Sequence, residues 1–463
     1  MKASMHALVR VGLAALLALA GFASTHAATD ANAPRLRIAT FRCDATPPRG
    51  ETLVWLVKLL KQKDPLLLKG VVLEDGGKRY VLCALDWCLL CNESEWSFRE
   101  TMARAAGTER TCVAIQCVHQ HVAPYADEGA HRLLDAAPDS PPHLTAKFLD
   151  DLRARLAKAV QQAVKRLEPF DRVGCGEAKV DRVASERRLK GPDGKIITRG
   201  SEGAKNSKLA DMPEGDIDPM LKTITFARGK KVLARLHYYA THPQTVSCDG
   251  STSADFVGWA REAMERKERV FQVYFTGCSG NVTAGKYNDS KPAVRAGLKE
   301  RLQAGMAAAV AATQFAPAER LVWRTDAVAL PVRTDAAFVE PSRASVADPK
   351  AREGLRVYMG AMRLASVERA KRPFELSSLQ IGNIHVVHLP GEPMLEFQKF
   401  AQRSKPNDFV AVAGYGDCGS AYICTDAAFV EGGYEPVATN LAPGAEQIVK
   451  ASIRRLLGEA SNK

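Results

Sequence analysis

Short apolar runs that read as buried strands alternate along this chain with amphipathic helical stretches, and that alternation places it in the α/β class. RYVLCALDWCLL (79–90), TCVAIQCVH (111–119), KVLARLHYYATH (231–242) and RVFQVYFTG (269–277) have the length and apolar density of buried strands. A helix is predicted over 254–267, and others over 292–313 and 444–458. The segment 148–170 sets Phe148, Leu152, Leu156, Val160, Val164 and Leu167 on one helical face, with Pro169 as its stop. FELSSLQIGNIHVVHLPGE (374–392) reads as a hairpin turning at Gly382-Asn383, followed by a helix from Pro393. The expected architecture is mixed β-sheets flanked by helices, with no internal sequence repeat.

Composition agrees with a globular chain. Of 463 residues, 46% are hydrophobic and 25% charged, which excludes disorder, collagen-like repeats and a small disulfide scaffold. Residues 1–27 have a basic start (Lys2, Arg10), the apolar run VGLAALLALAGFA and a small-residue end, the pattern of a secretory signal peptide. Its removal takes two positive charges and reduces the net charge from +12 to +10. Export and the lack of any nucleic-acid motif argue against a nucleic-acid partner. A basic exported surface is compatible with peripheral contact with anionic membrane. Eleven cysteines in an oxidising compartment predict buried thiols with one to four bridges, and the odd count leaves at least one unpaired. The Gly-, Lys- and Asp-rich stretch from Arg187 to Pro219 is too long for an ordinary connection, and reads as a substrate-covering loop or as disorder.

The histidines carry the chemical signal. His119 and His121 stand where TCVAIQCVH runs out into a loop, and strand C-termini of α/β proteins open onto clefts. His242 ends a second strand in the same way. His237 points to the opposite face and reads as a core histidine, as do His385 and His388, while His131 and His143 have no evident partners. Glu392 follows LPG at a strand end and reads equally as a helix cap or a cleft-facing ligand; Asp255 reads as a cap. Two strand-end histidines and a carboxylate suit zinc, which leaves one position open for water. GCSGN (277–281) is close to a G-x-S-x-G nucleophile elbow but has Asn281 in place of the last glycine, and no acid–histidine pair is placed to serve it.

Seven ordered segments together resemble the neutral/alkaline non-lysosomal ceramidase family. They are FRCDATPPRG (41–50), VHQHVAP (118–124), VASERRLKGPDG (183–194), YYATHPQT with TSADFVGWA (238–260), FTGCSGNVTAG (275–285), IGNIHVVHLPGEP (381–393) and GYGDCGSAYICTDAAFVEGGYEP (414–436). The last, with its Y-I-x-T and G-G-Y-E, is the most specific. The resemblance implies one ceramidase-like catalytic domain over 28–463, without the family's C-terminal immunoglobulin-like domain.

It further implies a zinc ion held by His119, His242, Glu392 and Tyr422. His121, Arg187 and Tyr434 would then bind the scissile group, and Thr283 would stand where the family has its characteristic serine. Asn281 replaces the family's aspartate, so the metal-site positions match more closely than the substrate-side ones. The implied activity is hydrolysis of an amide, ceramide or a related N-acyl lipid, by metal-activated water. A zinc esterase with a non-lipid substrate, and a non-catalytic lipid- or glycan-binding protein on the same scaffold, are the other readings. The oligomeric state is not legible.

Overall fold

A computed structural model describes residues 35–137, 140–348 and 354–459; the predicted signal peptide lies outside them. Three sheets of the same topology carry the molecule. The first is built from Leu36–Asp44, Leu67–Asp75, Lys78–Leu85 and Val113–Cys117, the second from Arg172–Lys179, Met220–Arg228, Lys231–Tyr239 and Phe271–Thr276, and the third from Val322–Val328, Phe374–Ile381, Ile384–His388 and Phe409–Ala413. In each, the first three strands pair antiparallel and the fourth joins parallel to the third. A helix makes each crossover: Asn92–Ala106, Asp255–Glu268 and Leu395–Ser404. A further helix follows each fourth strand, at Ala146–Val164, Pro292–Ala311 and Ala445–Leu456. The chain thus contains a threefold structural repeat that its sequence hides. Apolar periodicity and turn chemistry set this topology, and both tolerate wholesale change of residue identity.

The turns show the local cause. Each central hairpin turns on two residues that begin with a glycine at positive φ: Gly76 (57°), Gly229 (53°) and Gly382 (59°). Such turns match the twist of the flanking strands, and only glycine adopts them freely. The central hairpin strands are buried over most of their length on both faces, and they carry satisfied polar residues such as Lys69, Thr223 and His237 among the apolar ones. Tyr80, Leu82 and Ala84 face a central core shared with the second and third sheets, whereas Val81, Cys83 and Leu85 face the helices Asn92–Ala106 and Ala146–Val164. The third sheet divides likewise, Ile384 and Val386 inward and Val387 outward. The mixed α/β architecture matches the expectation.

Several local expectations need correction. The helix expected to run to Pro169 begins at Ala146, where the Thr145 side chain accepts a hydrogen bond from the Phe148 amide, but it ends at Val164. Pro169 instead lies in a two-residue strand on the edge of the first sheet, opposite Arg37, where its lack of an N–H is harmless. The residues from Arg187 to Pro219 are ordered, which excludes the reading of this stretch as disorder. They hold a small ladder, Arg188–Lys190 with Ile196–Thr198, and a short helix, Ser207–Asp211. The fully buried Arg199 organises them by donating to the carbonyls of Glu186, Leu209, Met212 and Pro213.

The eleven cysteines form no disulfide; all are free thiols, and nine are buried. Cys43, Cys83 and Cys117 occupy strand positions facing the core, where the side chain acts as a small apolar group. Among the described residues no helix is long and apolar enough to cross a membrane.

Candidate metal centre

The C-terminal ends of the three parallel strand pairs interlock. The Gly414 amide donates to the Thr276 carbonyl, the Cys117 amide to the Tyr415 carbonyl, and the Thr276 hydroxyl to the Val118 carbonyl, at 3.0, 2.8 and 2.7 Å. Three sheets therefore deliver their strand-end loops to one place. His242 comes three residues after Tyr239 and Glu392 four after His388, so they occupy corresponding places in the second and third units. In the first unit that place belongs to Cys88, and His119 enters from the neighbouring strand end.

His119 holds φ at +75°, and its ring Nδ1 lies 2.8 Å from the Cys88 carbonyl. His242 Nδ1 lies 2.6 Å from the Ser279 carbonyl. A carbonyl only accepts, so each Nδ1 carries the proton and each Nε2 offers a lone pair. Those two Nε2 atoms stand 3.2 and 3.3 Å from the same oxygen, Oε2 of Glu392. The three side chains are buried and group closely enough to share one metal ion. His242 Nε2 and Glu392 Oε2 have no hydrogen-bond partner. Three acceptors facing one another in a buried space repel unless a cation lies among them, and this donor set suits a divalent metal.

Burial drives the His242 pKa down to about 4, which favours the neutral, ligating form. Cys88, His119 and His121 also cluster closely. That set fits a metal less well, because burial raises the Cys88 thiol well above its ordinary value and His119 Nδ1 is already engaged.

A two-residue parallel ladder aligns Glu392 with Tyr422, Pro393 with Ile423. Glu392 is thus neither a helix cap nor next to a first helical position; the following helix starts at Leu395. Tyr422 is buried and faces the Arg187 guanidinium, 5.1 Å from its ring. Tyr434 packs edge-on against Tyr422 at 5.7 Å and is half exposed. Arg187 keeps one nitrogen, Nη2, without a partner. His121 Nε2 lies 3.1 Å from His119 Nε2, and its Nδ1 is unpartnered. Burial, then the two neighbouring imidazoles, push the His121 pKa well down.

Six of the expected site residues, His119, His121, His242, Glu392, Arg187 and Tyr422, are therefore gathered here, with Tyr434 at the rim. Thr283 stands apart from the cavity. It bridges His242 through the backbone and pairs with Ser185 in a two-residue ladder, and its buried hydroxyl has no hydrogen-bond partner.

Several residues of the site carry no sequence signal of their own. Glu435, fully buried, binds Arg187 and Arg188 with its two oxygens at 2.7 Å each. Its place beside Tyr434 in the G-G-Y-E segment was the one available hint. Tyr415 stacks on His119 at 4.4 Å, and its hydroxyl lies 2.7 Å from Ser279 Oγ. Ser279 is therefore a brace for His242 and Tyr415, not the nucleophile of an elbow. Asp255 pins the loop after His242 by accepting from the Thr245 amide and hydroxyl. His237 is a satisfied core residue between Thr223 and Gln272, as expected. His131 and His143, expected to lack partners, stack on one another at 4.6 Å, with His131 on the Tyr358 hydroxyl and His143 on Asp135.

Glu392, His119, His121 and Tyr422 open onto a cavity of about 90 Å³, whose other walls include Trp55, Met359, Met362 and Arg363.

No protein-family model matches the chain, and no curated protein matches it in sequence. Among solved structures, the neutral ceramidase from Pseudomonas aeruginosa superposes with a TM-score of 0.67 at 15% identity, covering 93% of this chain and 76% of that one. A structure described as ceramidase complexed with C2 gives the same TM-score and coverage at 14% identity. The fold is the ceramidase fold, mixed sheets flanked by helices.

Proposed function

We propose that this chain is an exported zinc-dependent hydrolase that cleaves the amide bond of an N-acyl compound, ceramide or a related lipid. One observation carries the reading: two imidazole nitrogens lie within 3.3 Å of one carboxylate oxygen in a buried site that opens onto a largely apolar cavity. His119, His242 and Glu392 would hold the ion, with Tyr422 beside Glu392 as the fourth ligand. Zinc in such a setting polarises a carbonyl and brings the pKa of water to about 7.

The chain's own groups supply the rest. His121, neutral and with a free Nδ1, takes a proton from the attacking water and returns it to the departing nitrogen. The hydroxyl of water adds to the carbonyl carbon, the C–N bond breaks, and the products are a carboxylic acid and an amine. Arg187 Nη2 and the Tyr434 hydroxyl donate to the oxygen on which charge develops, and Glu435 keeps Arg187 aimed. The fold shared with neutral ceramidase supports the assignment of an N-acyl substrate, and the net charge of the exported chain supports contact with anionic membrane.

Metal analysis of purified protein and turnover of a fluorogenic N-acyl amide, abolished by chelator and restored by zinc, test this reading. Absence of stoichiometric zinc, or unaltered activity in His242→Ala, overturns it.

A further inference from the structure

One wall of the cavity is a face of the helix Gly354–Arg369. Met359, Met362, Arg363 and Ser366 line it at helical spacing. Facing them are apolar groups, Val54, Trp55, Leu89 and Ala438. Most polar groups on this wall are already engaged. Asp127 accepts from Asn92 Nδ2 at 2.6 Å and from the Ala130 amide. Ser366 Oγ donates to the Gly419 carbonyl at 2.7 Å and accepts from Asn440 Nδ2 at 3.1 Å.

Arg363 is the charged exception, alongside the unpartnered Tyr125 hydroxyl. It is half-buried, and among the described residues its guanidinium has neither a hydrogen bond nor an ion pair, only the Phe338 ring at 5.4 Å. The buried arginines elsewhere are engaged: Arg187 and Arg188 by Glu435, Arg261 by Asp86, Arg369 by Asp417, and Arg199 by four backbone carbonyls. The charge that Arg363 feels is another cation, Arg333, which itself leans toward Asp335 at 3.5 Å. Burial and Arg333 together lower its pKa, the direction of a guanidinium that lacks a counter-charge, yet an arginine stays protonated at neutral pH. A cation held in an apolar pocket without a partner is relieved by an anion brought by the ligand.

We infer that the substrate is an N-acyl compound bearing a carboxylate, of the N-acyl amino acid class, with the carboxylate paired to Arg363 and the amide at His121 and Glu392. This rests on the hydrolase reading above and narrows it. A single unpaired guanidinium matches the two oxygens of one carboxylate; a phosphate dianion would call for a second free cation, and Arg333 is occupied. Ceramide carries no anion and would leave Arg363 unmatched.

The test uses the zinc-loaded full chain and a matched pair, N-lauroylglycine and its neutral analogue N-lauroylglycinamide. Wild type should favour the acid in kcat/KM by about 10- to 100-fold, the range of one charge-assisted contact. Arg363→Gln should bring the ratio of the two toward one, and Arg363→Lys should retain part of the preference. Calorimetric binding of the same pair to wild type and Arg363→Gln supplies a readout independent of turnover. Arg363-dependent binding of the acid with no hydrolysis of either compound would overturn the hydrolase reading and leave the anion site standing. Hydrolysis of both compounds with an acid-to-amide ratio that Arg363→Gln does not change would overturn the anion site and leave the hydrolase standing.

Discussion

At one end of the cavity His119, His242 and Glu392 leave three separate strand ends, each fixed by a backbone carbonyl or a strand ladder. At the other end Met359 and Arg363 stand on one helix face with no side-chain hydrogen bond to hold them. The fixed end is buried and over-determined: moving any ligand disturbs a strand. The open end is bounded by apolar groups and one free charge, and it can change without disturbing the sheets. On the proposed hydrolase reading, chemistry would belong to the first and choice of substrate to the second, a division common where a rigid scaffold presents variable walls.

That contrast predicts graded effects. Glu392→Gln should be the most severe: an amide cannot supply the negative charge that the two imidazoles face, so metal content by elemental analysis and amide turnover should both fall below detection. Glu435→Gln comes next. Removing the carboxylate between Arg187 and Arg188 leaves a buried charge uncompensated and should cost about 3–5 kcal/mol of stability, measured by chemical denaturation. A smaller loss would place this pair with the open end rather than the fixed one.

Tyr415→Phe removes the hydroxyl that meets Ser279 while keeping the stack on His119. Groups that orient metal ligands contribute about 10- to 100-fold in metal affinity, and competition with a chelator should read a loss of that size.

A gentler probe of the fixed end is pH. His237 sits in the strand Lys231–Tyr239, which leads to His242, and burial drives its pKa down to about 4. In the unfolded chain it titrates near 6.5. Its contribution to stability is present in full above about pH 6.5 and is lost as pH falls toward 4, because the unfolded chain takes up the proton first. His237→Gln should therefore lose stability less steeply on acidification, by about 1.4 kcal/mol per pH unit in that window. An unchanged slope would show that this strand does not hold a neutral imidazole.

The smallest expected effect is at the open wall. Met359→Ala should change stability by less than about 0.5 kcal/mol, since the side chain is 37% exposed, while altering KM for long-chain substrates. A large drop in melting temperature would erase the distinction between the two ends.

Much of this scaffold was readable before any coordinates. The buried strands, the hairpin at Gly382-Asn383 and the helix over 254–267 follow from apolar spacing and turn residues, which act over a few residues and so are written locally. His119 and His242 could be recognised as strand-end residues for the same reason. Their meeting could not, because 123 and then 150 residues separate His119, His242 and Glu392 along the chain. Tyr422 came only through the family resemblance, since no spacing ties a tyrosine to a distant glutamate.

Other features were decided in three dimensions alone. Pro169 became an edge residue because a sheet edge tolerates a missing donor. The cysteines remained thiols, and the nine buried ones act in the core as small apolar groups. The 187–219 segment gained order from one buried arginine whose carbonyl partners are set by tertiary contact. Glu435 between two arginines, and Arg363 with none of its counter-charge, differ only in what the fold brings beside them. The chain's own periodicity determined three units of strand and helix. Their convergence, which creates a site of facing lone pairs and an unmatched cation beyond it, is long-range packing that no local pattern encodes.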